Sequence, residues 1–229
     1  MWQVDRFVDR TAAGIRLAAA LTRYRGSNAL VLGIPRGGVP VAAEVARALD
    51  AELDVIVARK AGVPDDPELA LGAVTSDGTR FVNDDLIGGL GLSQEAVDGA
   101  FEKAAREARE REERFRGGRT KPKLRDRTVI VVDDGVATGA TMLAALRSVR
   151  GASPARLVAA VPVGAPETCD LVAREVDELV CLERPAYFVA VGQFYESFPQ
   201  VSDEQARELL RRPDHSDEEA PTGTPVTAG

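Results

Sequence analysis

The chain has 229 residues, 45% of them apolar, and a net charge of −7 at pH 7. That suits one compact α/β domain or a core with a small appended lobe, and the acidic balance argues against a nucleic-acid partner, which calls for a basic face. The single histidine, His215, lies in an acidic Pro/Thr/Gly-containing tail, which argues against Ser-His-Asp and Cys-His catalysis and histidine-ligated metals.

The first residues, MWQVDRFVDR, carry acids and no apolar segment, unlike a secretory signal. Spacing of Phe7, Ile15, Leu17, Ala18 and Leu21 predicts an amphipathic helix over residues 8–24. NALVLGIP reads as a buried strand ending at Pro35, and VPVAAEVARAL (39–49) as a helix. LDVIVARK reads as a second buried strand ending in Arg59-Lys60, with AGVPDDPEL as a loop after it. Two short strands around 72–75 and 80–82 flank an Asp77-Gly78 hairpin turn. Ser93 opens a long charged helix, about 93–116, whose Glu107/Arg111 and Glu110/Arg114 spacing reads as a solvated face; Gly117-Gly118 ends it.

TVIVV is the next strand, followed by a helix from about Gly139 to Arg150. RLVAAVPV, PETCDLVAREV and ELVCLE continue as strand, helix and strand. The aromatic-rich stretch from residue 183 closes in a helix capped at Ser202 or Asp203 with Gln205 following. Residues 213–229 hold four acids and no base, the composition of a disordered tail. Apolar strands alternating with helices predict an α/β fold with a mostly parallel central sheet flanked by helices. No apolar run approaches the ~20 residues that span a bilayer. Cys169 and Cys181 are too few for a disulfide framework or zinc site. The expectation is a cytoplasmic protein with no membrane partner.

The stretch VIVVDDGVATGAT, Val129 to Thr141, carries the most chemistry. A buried strand runs into Asp133-Asp134, where vicinal carboxylates can accept hydrogen bonds from the vicinal hydroxyls of a ribose. Ala137, Thr138, Gly139, Ala140 and Thr141 then turn into a helix, and successive amides at a helix N-terminus make a concavity for an anion. Diol on the acids and phosphate in the turn describe a ribose 5-phosphate. A Walker A loop would need a lysine that Gly139-Ala140-Thr141 lacks.

This run resembles the PRPP-binding motif of the type I phosphoribosyltransferases (PRPP is phosphoribosyl pyrophosphate), with one departure at Gly135, where an aliphatic residue is usual. Two further segments agree in order. Arg36-Gly37-Gly38 after the first core strand looks like the family's pyrophosphate loop, which often contains a non-proline cis peptide. Arg59-Lys60 looks like the basic end of its second strand, leading into a mobile lid. The likeness covers about residues 28–182. The phrases PRGGVPVA, ELALGAV, RGGR and FYESFPQVSDEQ are similar to those of one bacterial subgroup.

The resemblance implies a type I core (28–182) with a small hood from the chain ends (1–27 and 183–212). It implies transfer of ribose 5-phosphate from PRPP onto a nitrogen of a nucleobase-like acceptor, releasing pyrophosphate. Asp133 and Asp134 would hold the ribose hydroxyls, and residues 137–141 the 5-phosphate. Arg36, Arg59, Lys60 and the amides of Gly37 and Gly38 would hold the leaving group. Mg²⁺ is expected through substrate and water near the two aspartates, with no protein metal site, and a homodimer follows by analogy. Phe188, Phe194, Tyr195 and Phe198 offer either a stacking surface for a base or the hood's own core. Arg114, Arg116 and Arg119 stand near enough in sequence to Gly117-Gly118 to be candidates for reaching the site. Two other readings share the pocket: a PRPP- or nucleotide-sensing regulator without turnover, and a phosphorylase or hydrolase that cleaves phosphoribosyl compounds.

Overall fold

The computed structural model describes residues 6–63 and 66–211, with the backbone alone at 66–68. The predicted tail with His215, the first five residues and the Pro64-Asp65 tip of the expected lid lie outside the described residues.

Strands β1 (Leu30–Gly33), β2 (Glu52–Val55), β6 (Thr128–Val132), β7 (Arg156–Val163) and β8 (Glu178–Glu183) form one parallel sheet in the order β2-β1-β6-β7-β8. Its strands are apolar without alternation because both faces are covered. Helices α1 (Arg10–Ala20) and α2 (Gly38–Leu49) pack on one face, where Leu17, Leu21, Val41, Val45 and Leu49 meet Val31, Ile130 and Val158. Helices α5 (Ala140–Gly151) and α6 (Pro166–Glu175) cover the other, where Met142, Leu143, Leu146 and Val172 meet Leu32, Val131 and Ala159. Ile15, expected on the buried stripe of α1, is exposed; Ala13, Leu17, Ala18 and Leu21 carry the packing.

The predicted strand 53–60 is two strands. After β2 the chain leaves the sheet at Ile56-Val57, and β3 (Ala58–Val63) pairs antiparallel with β4 (Asp66–Thr75), which pairs with β5 (Arg80–Val82). The break follows from the partner: β1 offers only Leu30–Gly33 to pair with, and an apolar run cannot show where its neighbour ends. Much of the stretch read as a lid loop is therefore paired strand. The Asp77-Gly78 turn holds, with the Thr79 amide donating to Asp77 Oδ1 at 3.0 Å.

A short α3 (Asp84–Leu90), absent from the sequence reading, precedes the long α4 (Gln94–Arg116). Helix α4 is not a free charged rod. It buries Val97, Phe101, Ala104, Ala105, Ala108, Glu112 and Phe115 on one side, against the β3–β4 ribbon and against α7 (Asp203–Arg211). Helix α7 begins as the sequence predicts: the Gln205 amide donates to Ser202 Oγ and the Ser202 amide to Gln205 Oε1, a capping box.

Strand order decides where a ligand can sit. The chain runs from β1 outward to β2, then returns to place β6 on the other side of β1. The order therefore reverses between β1 and β6, and the crevice beyond their carboxyl ends is the site this architecture provides.

Candidate active site

Two loops leave the switch point side by side. Ile34 to Gly38 follows β1, and Asp133 to Gly139 follows β6; the Ile34 amide donates to Val132 O at 2.9 Å. Glycine lets them touch. A Cβ on Gly38 would lie 2.7 Å from Val132 O and 2.8 Å from Asp133 Cα, and one on Gly37 would overlap the Asp134 carboxylate. Any side chain there pushes the loops apart. The peptide Pro35-Arg36 in this loop is cis, with a non-proline residue following the bond.

Both helices that follow these loops start without a side-chain cap. Helix α2 has Gly37 at its N-cap and α5 has Gly139, at φ 77°. By contrast Asp9, Asn83, Ser93 and Ser202 cap α1, α3, α4 and α7. Helix α6 is also uncapped but begins with proline, which presents no amide. Four amides at each helix start need partners. At α2 the Gly38 and Val39 amides donate to Ile34 O and Arg36 O at 3.0 and 3.2 Å and Pro40 has none, so the expected Gly38 donor is already used. Among the described residues it is α5 that presents amides without a side-chain acceptor at the switch point. The α5 turn is braced from behind: Thr168 Oγ1 donates to Ala137 O at 2.6 Å, and a Cβ on Gly139 would meet Thr168 Cγ2 at 2.5 Å. Thr138 is exposed and Thr141 half-buried at this turn.

Asp133 and Asp134 stand at the mouth, both partly buried. The Asp134 amide donates to Asp133 Oδ1 at 2.8 Å. Burial raises the pKa of both, and for Asp133 the adjacent Asp134 charge raises it further. Asp134 has a counter-charge that sequence reasoning missed: Arg10 Nε donates to its Oδ2 at 2.8 Å. Arg10 also donates to Pro199 O at 2.7 Å and lies over the Phe198 ring at 3.7 Å. One guanidinium thus ties α1, the acidic pair and the C-terminal segment together. Its partner lies 124 residues away, so no local spacing could reveal it.

The chain ends meet above this mouth. Phe7 bridges Tyr195, and Phe7, Phe194 and Tyr195 are buried together, with Phe188 and Phe198 packed against them. The Tyr195 hydroxyl donates to Asp134 O at 2.6 Å. Phe194 and Tyr195 are therefore lobe core, and Phe198 is covered by Arg10. The departure at Gly135 has a physical cause: a Cβ there would lie 2.6 Å from Val191 Cγ1, so the C-terminal segment fills the space an aliphatic side chain would take.

Arg36, Arg59 and Lys60 come out differently from one another. The two β3 residues do not end a buried core strand, where the sequence predicts them; they lie inside the antiparallel ribbon. Alternation on β3 sends Lys60 into solvent, while half-buried Arg59 pairs with Glu107 of α4 at 3.0 Å. Arg36 and Arg59 nevertheless line one cavity of about 310 Å³ with Glu107, Glu110, Arg111, Arg114 and Asp203. Arg114 thus joins the cluster, whereas Arg116 and Arg119 pair with buried Asp54 at 3.3 and 3.6 Å. Among the described residues no group of three or more His, Cys, Asp or Glu gathers as a metal site, and no helix is long and apolar enough to cross a membrane.

An α/β fold with an uncapped, glycine-started helix and an acidic pair at its switch point has the donors and acceptors that suit a phosphorylated, hydroxyl-bearing ligand. Comparison with known proteins makes this specific: residues 3–197 match the phosphoribosyl transferase domain, and the chain belongs to that family. It is 48% identical over 206 residues to "Putative phosphoribosyl transferase Rv0571c" of Mycobacterium tuberculosis, covering 90% of this chain and 46% of that protein. A second M. tuberculosis strain carries a protein with the same match. The chain thus spans about half the length of the curated relatives it matches. Among solved structures, TT1426 from Thermus thermophilus is 43% identical with TM-score 0.76, covering 90% of this chain and 97% of that one. AQ2163 from Aquifex aeolicus shares the fold at 13% identity and TM-score 0.50, covering 88% of this chain and 86% of that one.

Proposed function

We propose that this chain moves the ribose 5-phosphate of PRPP onto a nitrogen of a nucleobase-like acceptor and releases pyrophosphate. The observation that carries the reading is the glycine-started, uncapped turn of α5 beside the Asp133-Asp134 pair at one switch point, with the 5-phosphate on α5 and the pyrophosphate against the neighbouring Arg36-Gly37 loop. The 5-phosphate would supply the acceptor oxygens that a capping side chain supplies at other helices.

The ribose then lies across Asp133 and Asp134, whose carboxylates accept from its 2- and 3-hydroxyls. As the C1–O bond to pyrophosphate breaks, negative charge grows on the leaving oxygens. The amide of Gly37 with Arg36 and Arg59 would face that charge, and preorganised donors act most where charge develops. Arg10 keeps Asp134 oriented and partly neutralised. Asp133 and Asp134 present hard carboxylate oxygens, the donor type Mg²⁺ takes, and together with water and substrate they would hold an ion that supplies neutralisation at the leaving diphosphate. The lobe made by the chain ends is the proposed hood over the acceptor.

The test is incubation of the purified protein with PRPP, Mg²⁺ and a panel of bases. Base-dependent pyrophosphate release supports transfer. Tight PRPP binding without release would replace this reading with sensing, and acceptor-free loss of the C1 substituent to phosphate or water would replace it with phosphoribosyl cleavage.

A further inference from the structure

The cavity between β3, α4 and α7 holds more positive charge than its acids satisfy. Arg111 Nη2 lies 3.2 Å from Asp203 Oδ1, and the same oxygen is 3.9 Å from Arg36 Nη1. One carboxylate oxygen thus serves two guanidiniums. Arg111 Nε is buried and finds no hydrogen-bond partner among the described residues. Burial lowers the Arg111 pKa; Asp203 opposes that, while Arg59 and Arg36 lower it further. A buried guanidinium donor without an acceptor costs free energy unless something completes it. The remaining pair, Arg59 with Glu107, is about 40% exposed on both sides, the kind that contributes little and exchanges readily.

Position says what would complete the cluster. Arg36 precedes the Gly37-Gly38 turn that packs on Asp134, so the cavity opens directly off the proposed pyrophosphate end of the site. Its volume of about 310 Å³ sits at the small end of ligand pockets, ~300–1,000 Å³. Guanidinium forks match phosphoryl oxygens bidentately. Helix α7 is held over the cavity by Ala206 and Leu210 against Val39, Val57, Ala108 and Phe115, which fixes Asp203 at its rim.

We propose that Arg111, on the long helix α4, is a third pyrophosphate-binding cation beside Arg36 and Arg59, and that Asp203 of α7 holds its place until the diphosphate arrives. The inference rests on the phosphoribosyl-transfer reading above and adds a residue from an element outside the PRPP motif. Diphosphate oxygens take over the Arg111 and Arg36 donors, and Asp203 swings toward solvent.

Calorimetric titration with two probes, inorganic pyrophosphate and ribose 5-phosphate, tests it on the full chain. Arg111→Met should weaken pyrophosphate binding about ten- to a hundredfold, the loss of one charge-assisted hydrogen bond, and leave ribose 5-phosphate within about twofold. Asp203→Asn should tighten pyrophosphate binding several-fold, a gain that a merely structural role for Asp203 would not give. Should Arg111→Met fail to fold, Arg111→Lys, which keeps charge but loses the fork, takes its place beside Asp203→Asn. Unchanged pyrophosphate affinity in the Arg111 variants, equal losses for both probes, or weaker binding in Asp203→Asn overturns the proposal. Wild-type protein that binds ribose 5-phosphate but not pyrophosphate overturns it alone; wild-type protein that binds neither overturns the transfer reading with it.

Discussion

The two halves of the proposed site are built from different materials. On the β6–α5 side the parts are backbone: a strand end, a glycine turn, helix amides, and close contacts that leave no room for a Cβ. On the β3–α4–α7 side the parts are long charged side chains facing each other across a cavity. Backbone positions are fixed by the sheet and cost nothing further to hold. Side-chain clusters must be held by counter-charges, which the substrate can displace. The first half suits a group that stays bound throughout the reaction, and the second a group that leaves.

The contrast predicts opposite kinds of damage. On the α4 side the largest effect should come from the buried network that fixes the end of that helix: Arg116 pairs with Asp54 at 3.3 Å and Glu112 at 3.0 Å. Arg116→Met leaves buried Asp54 and Glu112 only the longer contacts of Arg119 and Lys121, at 3.6 and 3.7 Å, and should destabilise the fold by up to about 3 kcal/mol, read by urea unfolding at pH 7. Burial already raises the Asp54 pKa against the pull of Arg116. A raised carboxylate favours the fold below its unfolded value and loses that advantage as pH rises. The variant's deficit should therefore shrink toward pH 4; a deficit independent of pH would show that lost packing, not charge, is responsible.

On the backbone side, Gly38→Ala should do its harm through geometry. The added methyl meets a main-chain oxygen and the Asp133 backbone, neither of which can rotate away. Overpacking of this kind costs about 1–3 kcal/mol, and calorimetry should show PRPP affinity falling by a similar free energy, with salt leaving the deficit unaltered. A deficit that varies with salt would erase the distinction between the halves.

Asp133→Asn should separate binding from stability. Loss of charge-assisted bonds to the ribose hydroxyls should cost about 1.5–3 kcal/mol in PRPP affinity. The fold should gain at pH 7, because burial and Asp134 hold the Asp133 pKa above the usual carboxylate range. Such a group stabilises the fold at low pH and loses that contribution as pH climbs from about 3.9 through its folded value. Melting curves from pH 4 to 8 should thus converge at the acid end, with the variant higher at neutral pH. A variant that melts lower at pH 7 would mean the carboxylate is a structural anchor.

What could be read from sequence follows the same division. The β6–α5 half lies within thirteen consecutive residues, Val129 to Thr141, so strand, acids and turn are visible as one word. The Gly37-Gly38 turn is equally local. Arg10, Asp203, Arg111 and Val191 reach the site from distant elements, and nothing in their neighbours' spacing marks them. Arg111 even fits a commonplace i,i+4 pattern with Glu107, yet the fold sends Glu107 to Arg59 and Arg111 to Asp203. The β2/β3 division was hidden for a related reason: an apolar run reports burial, and the identity of the pairing strand is a tertiary fact.

Lys60 is the smallest test of stability and the sharpest of role. It is exposed on β3, beside Arg59 and opposite Ala73 in the ribbon. Removing a solvated side chain should leave unfolding within about 0.5 kcal/mol of wild type. If the ribbon's cations serve the departing group, Lys60→Ala should lower kcat for PRPP turnover more than it raises KM, because an interaction formed only as charge develops is absent from the ground state. Ribose 5-phosphate, which lacks the leaving group, should bind the variant as it binds wild type. Equal losses in kcat/KM and in ground-state affinity would instead place Lys60 with the fixed donors of the backbone half, and the leaving side would have to rest on Arg36, Arg59 and their neighbours across the cavity.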